Sequence, residues 1–572
     1  MTADRTQTTN NRPDGWWRSA VVYQVYPRSF QDSNGDGIGD IPGITSRLDY
    51  LVELGVDVLW LSPVYRSPQI DNGYDISDYQ DIDPLFGTLE DLDELIAQAH
   101  ARGMKLVMDL VVNHTSDQHA WFQESRDPGS PRRDWYYWRP ARPGAEPGTP
   151  GAEPDDKPAA FAPSAWTYDP ASGQYYLGIF SPAQPDLNWE NEDVRQAVYE
   201  MMRWWVDRGV DGFRMDVINL ISKPAELVSE DVIDPNSASF GEIANGPRLD
   251  EFLAEMNREV GLDERNLITV GETPGATIEV AQRITDPARR ELNMVFTFEH
   301  MGIDQVPGAS KWDLAPLSLP ALKGNLADWQ YGLAEAGWNS LYWDNHDQPR
   351  AVSRFGDDSA EHRINSAKTL ATVLHLHKGT PYIYQGEEFG MTNSPFTQIG
   401  HYQDVETLNY HRLATARGIP EDDILASLAA KSRDHARTPV HWDDTEHAGF
   451  TTGTPWFAAN PNRVEINARA ALADPGSVFA HFQKLIRLRH NDETVREGRF
   501  ELLLPDHEQI WAFTRTLGDS RLLVLANCSS TPAEIPGGGL PAHADAELVL
   551  GTHADPDPSV LAPWESRVLR LA

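Results

Sequence analysis

A single cysteine, Cys528, in a chain of 572 residues leaves no partner for an intramolecular disulfide. It ends the apolar run Arg521-Leu-Leu-Val-Leu-Ala-Asn-Cys528, a setting that predicts a small buried side chain. No stretch approaches the roughly 18 consecutive apolar residues of a membrane span, and the opening Met1-Thr-Ala-Asp-Arg-Thr-Gln-Thr-Thr-Asn10 lacks the apolar core of a secretory leader. A cytoplasmic protein is expected. Basic residues are scarce as well: 48 Lys and Arg against 86 Asp and Glu give a net charge of −38. That balance opposes binding to phosphate backbones and anionic membranes, so neither nucleic acid nor a membrane is an expected partner. The acidity reads as a solvated surface that keeps the protein soluble. No internal repeat of fixed period is evident.

What the chain does contain is a series of short apolar segments alternating with helical patterns. Ala20–Tyr26, Val56–Ser62, Lys105–Val112, Val210–Val217, Asn266–Gly271, Asn293–Phe298, Asn339–Trp343 and Thr380–Tyr384 read as strands, with amphipathic stretches such as Leu89–Arg102 and Asp193–Asp207 between them. Strand alternating with helix implies a parallel sheet, and eight units imply a closed (β/α)8 barrel, which needs about 250 residues. The pattern breaks after the third strand, where Thr115–Pro182 carries a Pro-, Gly- and charge-rich middle around Trp135-Tyr-Tyr-Trp138. Loops this long are inserted domains or functional elements. A second excursion, Met391–Asn460, follows the eighth strand. Beyond Glu497 the alternating runs Phe500–Leu504, Ile510–Thr516, Leu522–Asn527, Ala546–Leu550 and Ser566–Leu571 predict an antiparallel β-domain. The expected organisation is an α/β TIM barrel over 1–114 and 183–496, an insert over 115–182, an excursion over 391–460, and a C-terminal β-domain over 497–572.

Four predicted strands end in acidic or histidine groups: Asp109 to His114, Arg214-Met-Asp216, Gly271-Glu-Thr273 and Asn345-His-Asp347. Polar chemistry at strand ends is how a barrel assembles an active site. Arg214 and Asp216 stand two apart on one strand, hence on one face, and the guanidinium is expected to keep Asp216 ionised. Glu272 emerges from the apolar run Ile268-Thr-Val270, where desolvation is expected to raise its pKa and keep its proton near neutral pH. An ionised carboxylate beside a protonated one is what glycosidic cleavage requires, because the leaving oxygen takes a proton while charge develops on the sugar. A single Asp at a strand end more often caps a helix or pairs with Arg; three carboxylates on separate strands make catalysis the stronger reading.

The blocks Asp109-Leu-Val-Val-Asn-His114, Gly212-Phe-Arg-Met-Asp216, Val270-Gly-Glu-Thr273 and Trp343-Asp-Asn-His-Asp347 resemble, in order, the four signature regions of the α-amylase superfamily of glycoside hydrolases. Gln184-Pro-Asp-Leu-Asn188 and Tyr384-Gln-Gly-Glu-Glu-Phe-Gly390 resemble its α-glucosidase and oligo-1,6-glucosidase branch. The resemblance implies a retaining mechanism with Asp216 as nucleophile, Glu272 as acid/base and Asp347 holding sugar hydroxyls. It also implies sugar contacts from His114, Arg214 and His346, and a grip on the terminal glucose by Asp71 and the stacking platform Tyr74. The arginine partner lies within Ser432-Arg-Asp-His-Ala-Arg437, with Arg433 favoured over Arg437. Valine at 217, after the nucleophile, accompanies α-1,6 cleavage in that family. The implied substrate is a short oligosaccharide, without an organic cofactor, acted on by a monomer or weak homo-oligomer.

Asp32-Ser-Asn-Gly-Asp-Gly-Ile-Gly-Asp40 places oxygen ligands at every second residue with glycines between, like the front half of an EF-hand loop, but Gly43 stands where the closing Glu would be. Related α-glucosidases use this segment as a compact metal site, which makes Asp32, Asn34, Asp36, Asp40 and the Ile38 carbonyl candidate ligands for structural calcium, with magnesium as the alternative. A plain glycine-rich turn is the other reading. The chain departs from the branch at His435 and His441, where Asn and Gln are common, which leaves the leaving-group side open. Sucrose isomerase is the rival activity. Its Arg-Leu-Asp-Arg-Asp loop is replaced here by Met301-Gly-Ile-Asp-Gln-Val-Pro307, which favours hydrolysis. A non-catalytic relative would have lost the three acids.

Overall fold

The computed structural model describes residues 15–224, 243–554 and 556–572. All eight predicted strands form: β1 (Val22–Val25), β2 (Val58–Leu61), β3 (Lys105–Val111), β4 (Gly212–Asp216), β5 (Ile268–Glu272), β6 (Met294–Phe296), β7 (Ser340–Leu341) and β8 (Thr380–Tyr384). They lie in one parallel sheet in the order β6-β5-β4-β3-β2-β1-β8-β7. A parallel bridge between Val295 and Asn339 joins its two outer strands and closes the barrel. The segments are apolar nearly throughout because the barrel interior and the surrounding helices bury both faces of each strand. Every residue of β3 and β4 is buried.

The helices follow from local signals. Leu89–Ala101 opens on a reciprocal capping box between Thr88 and Asp91 and buries Leu92, Leu95, Ile96 and Ala99, one stripe at helical spacing. Glu192–Arg208 is capped by Asn191 and stops at Gly209, whose φ of 117° is accessible without strain only to glycine. Most observed strands are one to three residues shorter than the apolar runs, since a run continues into the flanking turns; Thr380–Tyr384 matches its run, and β5 extends one residue further, to Glu272.

Between β3 and β4 a small antiparallel sheet forms from Trp138–Arg139, Gln174–Leu177 and Trp166–Asp169, with Gln174–Leu177 central. After β8 the chain forms two helices, Val405–Ala416 and Glu421–Lys431. The five C-terminal runs form one antiparallel sheet, Arg499–Leu503, Ile510–Leu517, Ser520–Asn527, Ser566–Leu571 and Glu547–Gly551 in spatial order. Lys323, on the helix Leu319–Gly332, docks this sheet by donating from its buried ammonium to the carbonyls of Leu504, His507 and Ile510 at 2.6, 2.6 and 3.0 Å. Cys528 is half-buried at the end of its strand, less enclosed than its apolar run suggests, because the chain turns out of the sheet there. Among the described residues, no helix is long and apolar enough to cross a membrane.

Candidate active site

The carboxyl ends of the barrel strands carry the candidate residues. β4 ends on Asp216 and β5 on Glu272; the turn after β7 carries His346 and Asp347, that after β2 carries Asp71 and Tyr74, and that after β3 carries His114. Arg433 reaches in from the single turn Arg433–His435 behind the second helix of the post-β8 excursion. Asp71, Tyr74, His114, Asp216, Glu272, Asp347 and Arg433 line one pocket. Arg214 and His346 back its wall. Positions spread over most of the sequence therefore meet in one place.

Arg214 is the electrostatic hub of the floor. One terminal nitrogen donates to Asp109 and Asp216, each at 2.8 Å, and the other lies 2.7 Å from Glu272 Oε2. The guanidinium is thus divided among three carboxylates, so Asp216 lacks the dedicated partner that its neighbour two residues back suggests. Burial, reinforced by Glu272 and Asp109 and only partly opposed by Arg214, pushes the Asp216 carboxyl well above the usual carboxylate range. Asp109 is raised by burial as well, again against the pull of Arg214. The surroundings of Glu272 also differ from the apolar sleeve its strand suggests: its Oε2 accepts from the Val217 N–H at 3.0 Å in addition to facing Arg214.

Asp347 experiences the opposite field. Burial works to raise it, but His346, Arg433 and Arg437 outweigh burial and hold it well below the usual range. His346 Nε2 lies 3.0 Å from Asp347 Oδ2 without hydrogen-bond geometry, while Gln24 donates to His346 Nδ1 at 2.8 Å, which leaves the ring hydrogen on Nε2. The Tyr74 ring stacks on His346 with centroids 5.2 Å apart and planes within 7°, and its hydroxyl donates to Asp109 at 3.0 Å. His114, fully enclosed, is pushed down to about 4 by burial and is therefore neutral near pH 7.

Of the two arginines weighed from sequence, Arg433 is the one that reaches Asp71, at 3.3 Å, while also lying 3.0 Å from Asp347. Arg437 contacts Asp347 at 2.8 Å. Both are anchored by a residue the motifs did not point to, Asp404, whose Oδ2 takes each guanidinium at 2.7 Å. Its other oxygen accepts from Glu406 N and Thr407 N, so locally Asp404 is an ordinary helix cap and nothing in the sequence separates the two roles. Asp109 did leave a signal, a lone carboxylate inside the apolar run Lys105–Val111. The apolar lining from Phe161, Phe180 and Phe298 left none, because irregular loops have no periodicity to read.

The altered histidines lie outside the pocket. His435 stacks on Phe396 and His441 Nδ1 meets the Ile466 carbonyl at 2.9 Å; burial pushes them down to about 4 and about 3. Both are neutral packing residues. Val217, Pro274, Phe298 and Gln348 line the pocket instead.

Val217 does turn into the site. Its φ of 36° and ψ of 41° are left-handed, a conformation that costs a β-branched residue on the order of 1–3 kcal/mol. The turn reverses the strand alternation that would have sent its side chain away from Asp216, and the side chain lines the pocket.

In the Asp32–Asp40 loop, Asp32 Oδ1 accepts from Asn34 N and Gly35 N, Asn34 Oδ1 from Asp36 N, and Asp36 Oδ1 from Ile38 N, at 2.8–2.9 Å. Asp32 Oδ2 in turn accepts from Gly37 N and Thr451 Oγ1, so both Asp32 oxygens are engaged within the protein, while Asn34 and Asp36 each hold one backbone N–H. Asp40 caps the helix Ile41–Ser46 through Gly43 N and also accepts from Ser33. Among the described residues, no three Asp, Glu, His or Cys side chains converge as a metal cluster, so an ion here requires Asn34 and the Ile38 carbonyl as well.

A closed parallel barrel with three carboxylates and a buried arginine at its carboxyl end, beneath one pocket, defines a glycoside hydrolase. The chain belongs to the α-amylase family: the model of the alpha-amylase catalytic domain matches residues 24–498. It is 56% identical over 515 residues to an oligo-1,6-glucosidase of Halalkalibacterium halodurans, covering 90% of each chain. It is 54% identical over 569 residues to the oligo-1,6-glucosidase of Parageobacillus thermoglucosidasius, covering 97% of this chain and 99% of that one. Among solved structures, trehalose-6-phosphate hydrolase of Bacillus licheniformis superposes with a TM-score of 0.91 at 46% identity, covering 97% of this chain and all of that one. Isomaltulose synthase of Klebsiella sp. LX3 gives 0.91 at 40% identity over 97% and 99%.

Proposed function

We propose that the protein is an exo-acting, retaining α-glucosidase that releases terminal α-glucose from short oligosaccharides, with α-1,6 links preferred and transfer to sugar acceptors as a side activity. The observation that carries this reading is the closed end of the pocket, where Asp71 and Arg433 meet beside Asp347 while Asp216 and Glu272 occupy the floor. Asp216 attacks the anomeric carbon and Glu272 protonates the leaving oxygen; Glu272 then takes a proton from the water that releases the glucose. Asp347 and Arg433 hold the sugar hydroxyls through charge-assisted hydrogen bonds.

Two relatives frame the alternatives. A phosphorylated sugar would need free basic groups at the mouth, but among the described residues Arg433 is the one Lys or Arg lining the pocket, and Asp71, Asp347 and Asp404 already engage it. Isomerisation is disfavoured by the segment replacing the Arg-rich loop: Met301 is buried, and its carbonyl accepts from Arg354.

The roof over the pocket supports exo action. Asn409, on the first helix of the excursion, donates to the Phe161 carbonyl at 2.9 Å, tying the insert to the excursion across the site. Long amylose is expected to be cut slowly and only from its end; internal oligosaccharides at early times would overturn the closed pocket.

Val217 carries the linkage preference. Its stiff branched side chain narrows the space beside the scissile bond, and the exocyclic torsion of a 1,6 link lets the next sugar swing clear. Isomaltose is expected to be hydrolysed with kcat/KM at least comparable to maltose, and Val217→Ala to move the ratio toward maltose by about 1–3 kcal/mol. A wild-type enzyme that splits maltose and ignores isomaltose would remove this assignment.

The Asp32–Asp40 loop is our candidate for one stabilising divalent cation, held by Asp32, Asn34, Asp36, Asp40 and the Ile38 carbonyl, that takes no part in chemistry. An ion bound only by the native state stabilises it by mass action. Chelation is expected to lower Tm while leaving KM nearly unchanged; superimposable melting curves would count against the site. A cytoplasmic monomer or weak oligomer completes the proposal.

A further inference from the structure

Val217 is the one β-branched residue among the described non-glycine residues with positive φ. A strained valine persists only where the surrounding structure demands it. Its side chain packs with Phe180 and Leu220 in an apolar cluster, and that contact alone does not account for the strain. The main chain does. Strand β4 ends at Asp216, and the left-handed step at Val217 starts the turn Ile218–Leu220, with Leu220 N returning to the Val217 carbonyl at 2.9 Å. That step aims the Val217 N–H sideways at the neighbouring strand end, where it donates to Glu272 Oε2 at 3.0 Å. Arg214 meets the same oxygen at 2.7 Å. One N–H donates to Oε2 and a guanidinium nitrogen lies beside it, so a proton on that oxygen would face an N–H and a cation. The proton of the carboxylic acid is therefore confined to Oε1.

We infer that Val217 is a positioning residue whose main-chain N–H, together with Arg214, reserves Glu272 Oε2 as an acceptor and so delivers the acid proton from Oε1 to the glycosidic oxygen. This rests on the proposed role of Glu272. The nucleophile and the residue that orients the acid are then consecutive in the chain, and one turn sets both. It also explains why a strained branched residue can be kept where glycine would fit the backbone: the conformation serves the acid, and the side chain lines the pocket.

The decisive experiment replaces the amide at 217 by an ester in the full-length protein, introducing the α-hydroxy analogue of valine, which removes the N–H and keeps the side chain. Turnover of isomaltose, a poor leaving group, is expected to fall at least about tenfold, while an activated aryl α-glucoside falls less than threefold, because only the first needs the proton. The alkaline limb of kcat/KM is expected to move up, since the lost hydrogen bond favoured the ionised carboxyl. Equal losses on the two substrates, or an unmoved alkaline limb, would overturn the inference. Glu272→Gln measured in parallel keeps the two readings apart. If Glu272→Gln hydrolyses isomaltose normally, the role of Glu272 itself falls; if it is disabled while the ester variant behaves as wild type, only the inference about Val217 falls. The strain has its own test: Val217→Gly is expected to melt above Val217→Ala, the reverse of the order found in regular structure, because only glycine relaxes at positive φ. The ordinary order would show that the turn is not strained and would remove the argument.

Discussion

Asp216→Asn abolishes turnover and leaves the fold intact: kcat is expected to fall at least about 10³-fold, roughly 4 kcal/mol of barrier. The amide is isosteric, so packing at the end of β4 is kept, but it cannot form the covalent glucosyl ester. The thermal transition should be preserved or raised, because the native site places Asp216, Asp109 and Glu272 around the one guanidinium of Arg214, and removing a carboxylate relieves that crowding. More than a tenth of wild-type activity in the variant would reject the assignment. The same crowding sets the pH dependence. The nucleophile must be ionised, and its folded-state pKa is raised by burial, so activity on the acid side is lost as pH falls through a value above the ordinary carboxylate range. An acid limb of kcat/KM near 4 would contradict this.

Glu272→Gln is the second large effect, and its size depends on the substrate. With isomaltose or maltose the loss is expected to be of the order of 10²–10⁴, the usual worth of a general acid. With an activated aryl α-glucoside the leaving group departs without help, so formation of the glucosyl enzyme survives while its hydrolysis, which needs the same carboxylate as base, slows. The variant should therefore show a burst of aryl alcohol followed by slow turnover, and an added small nucleophilic anion should restore the second step. Equal damage to both substrate types without a burst would mean that Glu272 is not the acid.

Much of the molecule was legible because its signals are local. Apolar runs separated by capped amphipathic helices specify alternating strands and helices, and eight of them in parallel, buried on both faces, suit a closed barrel with its cover outside. The runs after Glu497 were legible as strands, though the central ones are buried on both faces, with successive residues packing into two different apolar clusters. Strand ends are where a barrel exposes groups to ligand, so Asp216, Glu272, Asp347 and the histidines beside them could be singled out before any contact was known.

The tertiary structure decided what depends on distance. Asp71 and Arg433 are 362 positions apart, and no local pattern pairs them. Asp404 reads as a helix cap, and only folding turns its second oxygen to both arginines. His435 and His441 looked like candidates for the leaving-group side because they depart from the family pattern, yet burial makes them packing residues. The charge state of Asp216 could not be read from its neighbour two residues back, since Arg214 is shared with carboxylates from two other strands. The sequence by itself determined the candidate residues and the elements on which they stand, because types and periodicities are properties of the chain. Only the fold decided how the charges balance, which groups meet Glu272 Oε2 and where Val217 turns, because fields and hydrogen bonds depend on groups that meet only when the barrel closes.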